Sequence, residues 1–202
     1  MLHLTTEDIN ERIRAMEAMT LNEYGNWTQG MWVSFPSEAQ GNDDKSLFIA
    51  TFGLAGETGE LAGLIHELKS QRIWTPAEFC KELGDVTFYT CFLLRTFGKQ
   101  PLDIITPRLG RVSPAYGADP YEALARLTKN MGFVVEKVKK YLRDGTDVPI
   151  DKVTPCLREA WAAIEDIAHY VGLSIEEVIM ENVRKIEDRK LRGVRRGSGD
   201  NR

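Results

Sequence analysis

The chain of 202 residues has little cysteine, no long apolar run and no excess of positive charge. Its three cysteines, Cys80, Cys91 and Cys156, are widely spaced and form no CxxC pair, so neither a disulfide framework nor a zinc site is expected. No stretch approaches the roughly 20 apolar residues of a membrane span. Acidic residues stand near the N-terminus, where a signal peptide needs an apolar run. These absences predict a cytoplasmic protein with reduced thiols and no membrane association.

The charge balance excludes another class of protein. The formal net charge is −4 at pH 7, whereas proteins that bind nucleic acid stably are usually basic overall. The hydrophobic fraction of 43% and the charged fraction of 28% are typical of a globular chain and not of a disordered one. We therefore expect a globular protein without stable nucleic-acid binding.

The pattern of apolar residues predicts an all-α fold, because strand signals are nearly absent and helical periodicity is common. An N-cap at Thr5 and Thr6 opens a first predicted helix that ends near Met19. Residues 33–45 are predicted to form a loop. Further helices are predicted at about 46–70, 75–98, 121–143, 152–171 and 174–192. The last of these begins with a capping box of Ser174 and Glu177.

Proline and glycine divide the chain into segments. Residues 99–120 contain four prolines and two glycines and predict a linker. Residues 1–98 then form an N-terminal helical unit, residues 121–192 a second unit and residues 193–202 a flexible basic tail. We expect these segments to make one compact domain.

Two of the predicted helices carry paired carboxylates one turn apart. GLAGETGELAG contains Glu57 and Glu60, and KELGDVTFY contains Glu82 and Asp85. Residues three apart share a helical face, so antiparallel packing would bring four acids together, where they repel unless a cation lies between them. Ligands that are all oxygens favour Mg²⁺ or Mn²⁺ over zinc. The competing interpretation is a pair of solvated surface patches.

Glycines are interspersed with these acids, at Gly53, Gly56, Gly59, Gly63 and Gly84. A glycine inside a helix costs about 1 kcal/mol relative to alanine. Their number indicates that helix backbones pack closely here or that a bulky ligand approaches.

The segments GLAGETGELAGLIHELK and KELGDVTFYTCFLL resemble the metal motif of the MazG-like all-α nucleoside triphosphate pyrophosphohydrolases, a superfamily that includes the dimeric dUTPases. That motif is ExxE on one helix and ExxD on the next, and Glu57, Glu60, Glu82 and Asp85 occupy all four positions. The resemblance implies a helical bundle whose four acids hold Mg²⁺, or Mn²⁺, and are catalytic. It also implies hydrolysis of an NTP or dNTP substrate to the nucleoside monophosphate and pyrophosphate.

Two further segments carry this resemblance. GLSIEEVIMENVRKIEDRKLRG resembles the closing helix of the family, in which an Asn is followed three positions later by a basic residue, here Asn182 and Lys185. LNEYGNW resembles the first helix of the family, where Tyr24 and Trp27 would lie near the nucleotide. The resemblance therefore implies that these four residues contribute to substrate binding.

The order of the helices departs from the family pattern. The closing helix normally follows the ExxD helix directly, whereas here it comes after a second helical hairpin. A weak internal repeat places residues 53–98 over residues 129–172. The acid positions of the second copy are Asn130, Phe133, Cys156 and Glu159. We therefore expect a tandem of two hairpins with one degenerate copy and one catalytic site per chain, either as a monomer or as a homodimer.

Two interpretations come from other classes of protein. One is a non-catalytic helical module that retains the acidic metal site and binds a nucleotide or a partner. The other is a helical interaction protein with an acidic surface patch. The position of the closing helix also leaves open whether Asn182 and Lys185 reach the acids.

Overall fold

The computed structural model describes residues 19–32, 43–70, 75–110 and 119–194. Within these ranges every regular element is a helix and none is a strand. The predicted all-α class is therefore confirmed for this part of the chain. The helix predicted from Thr5 to Met19 lies outside the described residues, except for Met19 itself, which is not helical.

The described residues form seven helices: α1 (Leu21–Met31), α2 (Asp43–Lys69), α3 (Pro76–Thr96), α4 (Pro101–Ile104), α5 (Pro120–Asp144), α6 (Ile150–Tyr170) and α7 (Ile175–Leu191). The bounds of α2, α3, α5, α6 and α7 differ from their predicted ranges by less than one helical turn. Two predictions were partly wrong. Helix α2 begins inside the predicted loop 33–45, and α4 adds a short helix to the predicted linker, with Pro101 at its first position.

Three of these helices begin with a capping box, formed by Thr20 with Glu23, Thr75 with Glu78, and Ser174 with Glu177. In each box the hydroxyl accepts a hydrogen bond from a backbone N–H, and the glutamate accepts one from the backbone N–H of the cap residue. The predicted Ser174 box is confirmed. Because a cap defines where a helix begins, these boxes help to set the register of the residues farther along α1, α3 and α7.

The helices pack as two hairpins, α2 with α3 and α5 with α6, which lie against each other through α2–α5 and α3–α6 contacts. Helix α3 is central, because α1, α2, α4, α6 and α7 all contact it. Buried apolar side chains of both hairpins, such as Leu54, Leu83, Leu127 and Trp161, belong to one core cluster. Among the described helices, none is both long and apolar enough to cross a membrane.

Each hairpin ends in a glycine with left-handed backbone geometry. Gly98 follows α3 with φ of 71°, and Gly172 follows α6 with φ of 76°. Glycine adopts such angles without the steric cost that other residues meet. The internal repeat aligned these two positions, and the structure gives them the same role at the ends of their hairpins.

The middle of the linker is held against α6 by a buried carboxylate. Glu165 is 2% exposed and accepts hydrogen bonds from Trp161 Nε1 at 2.7 Å, from the Arg108 backbone N–H at 2.9 Å and from Arg108 Nε at 2.7 Å. Arg108 also forms an ion pair with Asp166 at 2.7 Å. A buried carboxylate is tolerated when donors satisfy it in this way, so this part of the linker is fixed to the second hairpin.

Gly53 marks the closest approach of α2 to α3, and its substitution tests the packing of the first hairpin. A Cβ at this position would lie 2.4–2.8 Å from three ring atoms of Tyr89. That ring is itself enclosed by Trp32 and Phe88. We therefore expect Gly53→Ala to lower the free energy of unfolding by about 1–3 kcal/mol, as overpacking does, measured by urea denaturation.

The matched control is Gly63→Ala on the same helix, where a Cβ would meet nothing within 4 Å. This substitution should raise the free energy of unfolding by up to about 1 kcal/mol, because alanine is the better helix former. Equal effects of the two substitutions would contradict the close approach of α2 to Tyr89.

Candidate metal centre

Three of the four predicted acids meet where α2 and α3 face each other. Glu57 on α2 and Glu82 and Asp85 on α3 offer carboxylate oxygens that all lie within 4.8 Å of one another. All three side chains are half-buried. Among the residues that the structure describes, this is the one group of three or more His, Cys, Asp or Glu side chains with such spacing. The hairpin thus converts two separate helical motifs into one acidic cluster.

Glu60, the fourth predicted acid, lies on the exposed rim of the cluster and not within it. It follows Glu57 by three residues, so it is one turn farther along α2 and rotated by about 60° around the helix axis. This rotation turns the side chain of Glu60 toward solvent. Its charge nevertheless contributes to raising the pKa of Glu57, so Glu60 acts on the cluster electrostatically.

Glu57 carries the largest electrostatic cost of the arrangement. Burial, followed by the charges of Asp85, Glu60 and Glu82, raises its pKa from 4.5 to about 8, and Lys185 opposes this shift. Burial and nearby like charges both favour the protonated form of a carboxyl group. At neutral pH, the negative charge of fully ionised carboxylates would exceed the positive charge around them. Protonation of Glu57 reduces this excess.

Helix α7 reaches the cluster through Asn182 and Lys185. Asn182 Nδ2 donates to Asp85 Oδ1 at 3.0 Å, and Lys185 Nζ donates to Asp85 Oδ2 at 2.5 Å, although about a hundred residues separate these partners in the chain. Lys185 Nζ also lies 3.4 Å from the carbonyl oxygen of Lys81. The two donors thus provide hydrogen-bond partners for both oxygens of the Asp85 carboxylate. The late position of the closing helix does not keep these two residues from the acids.

Tyr24 and Trp27 of α1 lie behind the cluster, in contact with protein side chains. Tyr24 is fully buried, which raises the pKa of its hydroxyl well above the usual range, and this hydroxyl donates to Asn182 Oδ1 at 2.9 Å. The Trp27 ring stacks on Tyr24 and meets Phe88 edge-on. Trp27 Nε1 donates to Glu187 Oε1 at 3.0 Å. Tyr24 is thus one hydrogen bond removed from the acids and offers no surface to a ligand.

The glycines near the acids fall into two groups. A Cβ at Gly84 would lie 2.9 Å from Asn182 Cβ, and Gly53 lies against Tyr89, so both glycines permit close packing as predicted. Nothing within 4 Å would meet a Cβ at the exposed positions Gly56, Gly59 and Gly63. For these three glycines, the approach of a bulky ligand stays a prediction.

Two contributors to the site were missed by sequence reasoning. Glu187 is only 6% exposed and accepts a hydrogen bond from Trp27. This pairing depends on α1 lying beside α7. The specific role of Gly84 was also missed, although its place directly before Asp85 in the ExxD motif was a usable signal. A glycine beside a ligand residue indicates that another chain segment approaches closely there.

The second hairpin has no equivalent cluster among the described residues. Asn130 donates to the carbonyl oxygen of Arg126 in its own helix, and Glu159 is exposed and paired with its neighbour Arg158. Cys156 likewise contacts a carbonyl oxygen of its own helix. The polar side chains at these positions therefore make their contacts within their own helices.

Among curated proteins, the chain is similar to the Gene 37 protein of Mycobacterium phage L5, with 33% identity over 92 residues. The matched region covers 42% of this chain and 81% of the phage protein, whose name states no activity. No family model matches the chain. No solved structure matches it either.

The raised pKa of Glu57 predicts how stability depends on pH in the absence of metal. Between the unfolded value of 4.5 and the folded value of about 8, the folded state binds more protons than the unfolded state. Stability therefore falls as the pH rises through this window. In EDTA, Glu57→Gln should remove this loss and melt at a higher temperature than the native chain at pH 9, with little difference near pH 5.

The measurement is thermal unfolding followed by circular dichroism in half-unit steps of pH. Glu159→Gln is the control, because Glu159 is exposed in the second hairpin and should leave the pH profile unchanged. A difference between Glu57→Gln and the native chain that stays constant from pH 5 to pH 9 would contradict the raised pKa.

Proposed function

The chain belongs to the family of the Gene 37 protein of Mycobacterium phage L5, and we propose that it is a Mg²⁺-dependent nucleoside triphosphate pyrophosphohydrolase of the MazG-like type. The reaction converts an NTP or dNTP and water to the nucleoside monophosphate and pyrophosphate. One observation carries the proposal: the carboxylate oxygens of Glu57, Glu82 and Asp85 converge within 4.8 Å on two neighbouring helices that bear the ExxE and ExxD motifs.

The chemistry of the cluster suits a hard divalent cation. All its ligand atoms are carboxylate oxygens, which Mg²⁺ and Mn²⁺ prefer. Oxygens bound to Mg²⁺ at about 2.1 Å lie no more than about 4.2 Å apart, so a spacing within 4.8 Å needs only small side-chain rotations. The raised pKa of Glu57 supports the assignment, because it reflects burial first and then the negative charge of neighbouring acids, which Lys185 only partly offsets.

The side chains divide into separate roles in the proposed reaction. Glu57, Glu82 and Asp85 would hold the cation, which when bound would neutralise phosphate charge and activate a water molecule. Glu60 lies on the rim, outside the close group. We assign to Glu60 the role of general base, which accepts the proton of the attacking water.

Among the described residues, Lys185 brings a positive charge to this cluster. Its ammonium group is paired with Asp85, and its side chain is 10% exposed. A positive charge beside the ligand carboxylates favours the binding of substrate phosphates and the departure of pyrophosphate. Asn182, which donates to the same carboxylate, holds Asp85 in place.

An assay of pyrophosphate release over the common NTPs and dNTPs, with and without Mg²⁺, tests this function. We expect equal amounts of pyrophosphate and nucleoside monophosphate, formed only when the metal is present. Glu82→Gln should lower kcat/KM by at least about a hundredfold and weaken Mg²⁺ binding, because metal sites depend strongly even on outer partners. Glu60→Gln should lower kcat and leave Mg²⁺ affinity nearly unchanged.

Glu159→Gln serves as the control, since it removes an acid from the corresponding position of the second hairpin and should retain full activity. Absence of turnover with every nucleotide would refute the enzymatic proposal. Full activity of Glu82→Gln would leave the enzyme class standing and show that the site is assigned wrongly.

The alternative of a non-catalytic nucleotide-binding or partner-binding module predicts a different pattern. In that case Mg²⁺ raises the melting temperature, because a ligand that binds only the folded state stabilises it, yet no nucleotide is hydrolysed. A surface acidic patch without a metal site predicts an unchanged melting temperature at saturating Mg²⁺.

A further inference from the structure

The hydroxyl of Tyr24 lies in the interior, behind the acidic cluster and closed to solvent. Tyr24 is 0% exposed, and its ring stacks on Trp27 with centroids 5.6 Å apart. A buried tyrosine hydroxyl needs a hydrogen-bond partner, since leaving it unpaired is costly. Its acceptor is Asn182 Oδ1 at 2.9 Å, which joins the first described helix to the last.

The two ends of the Asn182 amide face chemically different partners. Asp85, when ionised, can only accept hydrogen bonds, so it requires the NH₂ end of the amide. Asn182 Nδ2 donates to Asp85 Oδ1 at 3.0 Å, which leaves the carbonyl end for the Tyr24 hydroxyl. A flipped amide would place its carbonyl oxygen against the carboxylate. The carboxylate therefore selects the orientation of the amide, and the Tyr24 hydroxyl fixes the amide there by donating to its carbonyl end.

Packing around Asn182 restricts it to this place. Asn182 is 0% exposed. A Cβ on Gly84, the residue before Asp85, would lie 2.9 Å from Asn182 Cβ and 3.2 Å from its Nδ2. Helix α7 thus approaches α3 as closely as a glycine permits, at the position where the amide meets the carboxylate.

We propose that Tyr24 is a positioning residue that acts through Asn182 to hold the Asp85 carboxylate in its metal-binding orientation. This inference rests on the proposed function, because it assumes that Asp85 binds a divalent cation. Tyr24 itself contacts neither metal nor substrate. Its contribution is to anchor a buried amide that donates to Asp85, so two hydrogen bonds link Tyr24 to the metal-binding carboxylate.

Calorimetric titration of the nucleotide-free full chain with Mg²⁺ alone tests this role without reference to activity. Tyr24→Phe keeps the stacked ring and removes one oxygen atom. We expect its Mg²⁺ affinity to fall about 10- to 100-fold, the range typical for residues that orient metal ligands. Tyr121→Phe is the matched control, because it removes a tyrosine hydroxyl that donates to the Ile65 carbonyl, a bond between α5 and α2. Its affinity should equal that of the native chain.

A double-mutant cycle separates positioning through Asn182 from a general structural effect. Asn182→Ala should weaken Mg²⁺ binding at least as much as Tyr24→Phe, and adding Tyr24→Phe to it should cause no further loss. Additive losses would overturn the proposal, because Tyr24 would then act by another route. If Tyr24→Phe does not fold, Asn182→Ala alone provides the test. An unchanged Mg²⁺ affinity in that variant would also overturn the proposal.

The same titration distinguishes the two proposals. If the native chain binds Mg²⁺ and Tyr24→Phe binds it equally well, the role of Tyr24 is refuted and the proposed function stands. If the native chain binds no Mg²⁺ at millimolar concentration, the proposed function fails and the role of Tyr24 fails with it.

Discussion

The candidate site depends on the contact between α3 and α7 at Gly84 and Asn182. The missing side chain of Gly84 lets Asn182 reach Asp85. The same approach brings Lys185, one turn farther along α7, onto the other oxygen of that carboxylate. A larger residue at position 84 would separate the helices and leave Asp85 without its donors. The positions of Tyr24 and Trp27 follow from this contact, because α1 packs where α3 and α7 meet.

The charges of the cluster are unbalanced in a way that suits a cation. Three carboxylates converge beside the ammonium group of Lys185, and burial together with the neighbouring acids raises the pKa of Glu57 to about 8. A protein with only structural needs could replace such acids with apolar side chains at little cost. The presence of three acids together at half-buried positions is the physical reason for proposing that a metal ion completes the site.

The two hairpins have a similar architecture, but among the described residues only the first carries the acidic cluster. Both hairpins share one core and end in glycines with the same left-handed geometry. In the second hairpin, Asn130 and Cys156 contact carbonyl oxygens of their own helices, and Glu159 is exposed. Those positions therefore carry no comparable electrostatic cost. The second hairpin contributes apolar packing, and the buried Glu165 secures the linker that leads into it.

The sequence by itself determined the helical class, most helix bounds, the capping box of Ser174 and Glu177 and the one-turn spacing of the acids, because these depend on residues within about four positions of each other. It also pointed to Asn182 and Lys185, although only through resemblance. The tertiary structure decided that Glu60 stays at the rim, that Tyr24 is enclosed and that Gly84 makes room for Asn182. These outcomes depend on how distant helices cross and rotate against each other. Because such packing depends on the whole core, a local sequence pattern cannot predict it.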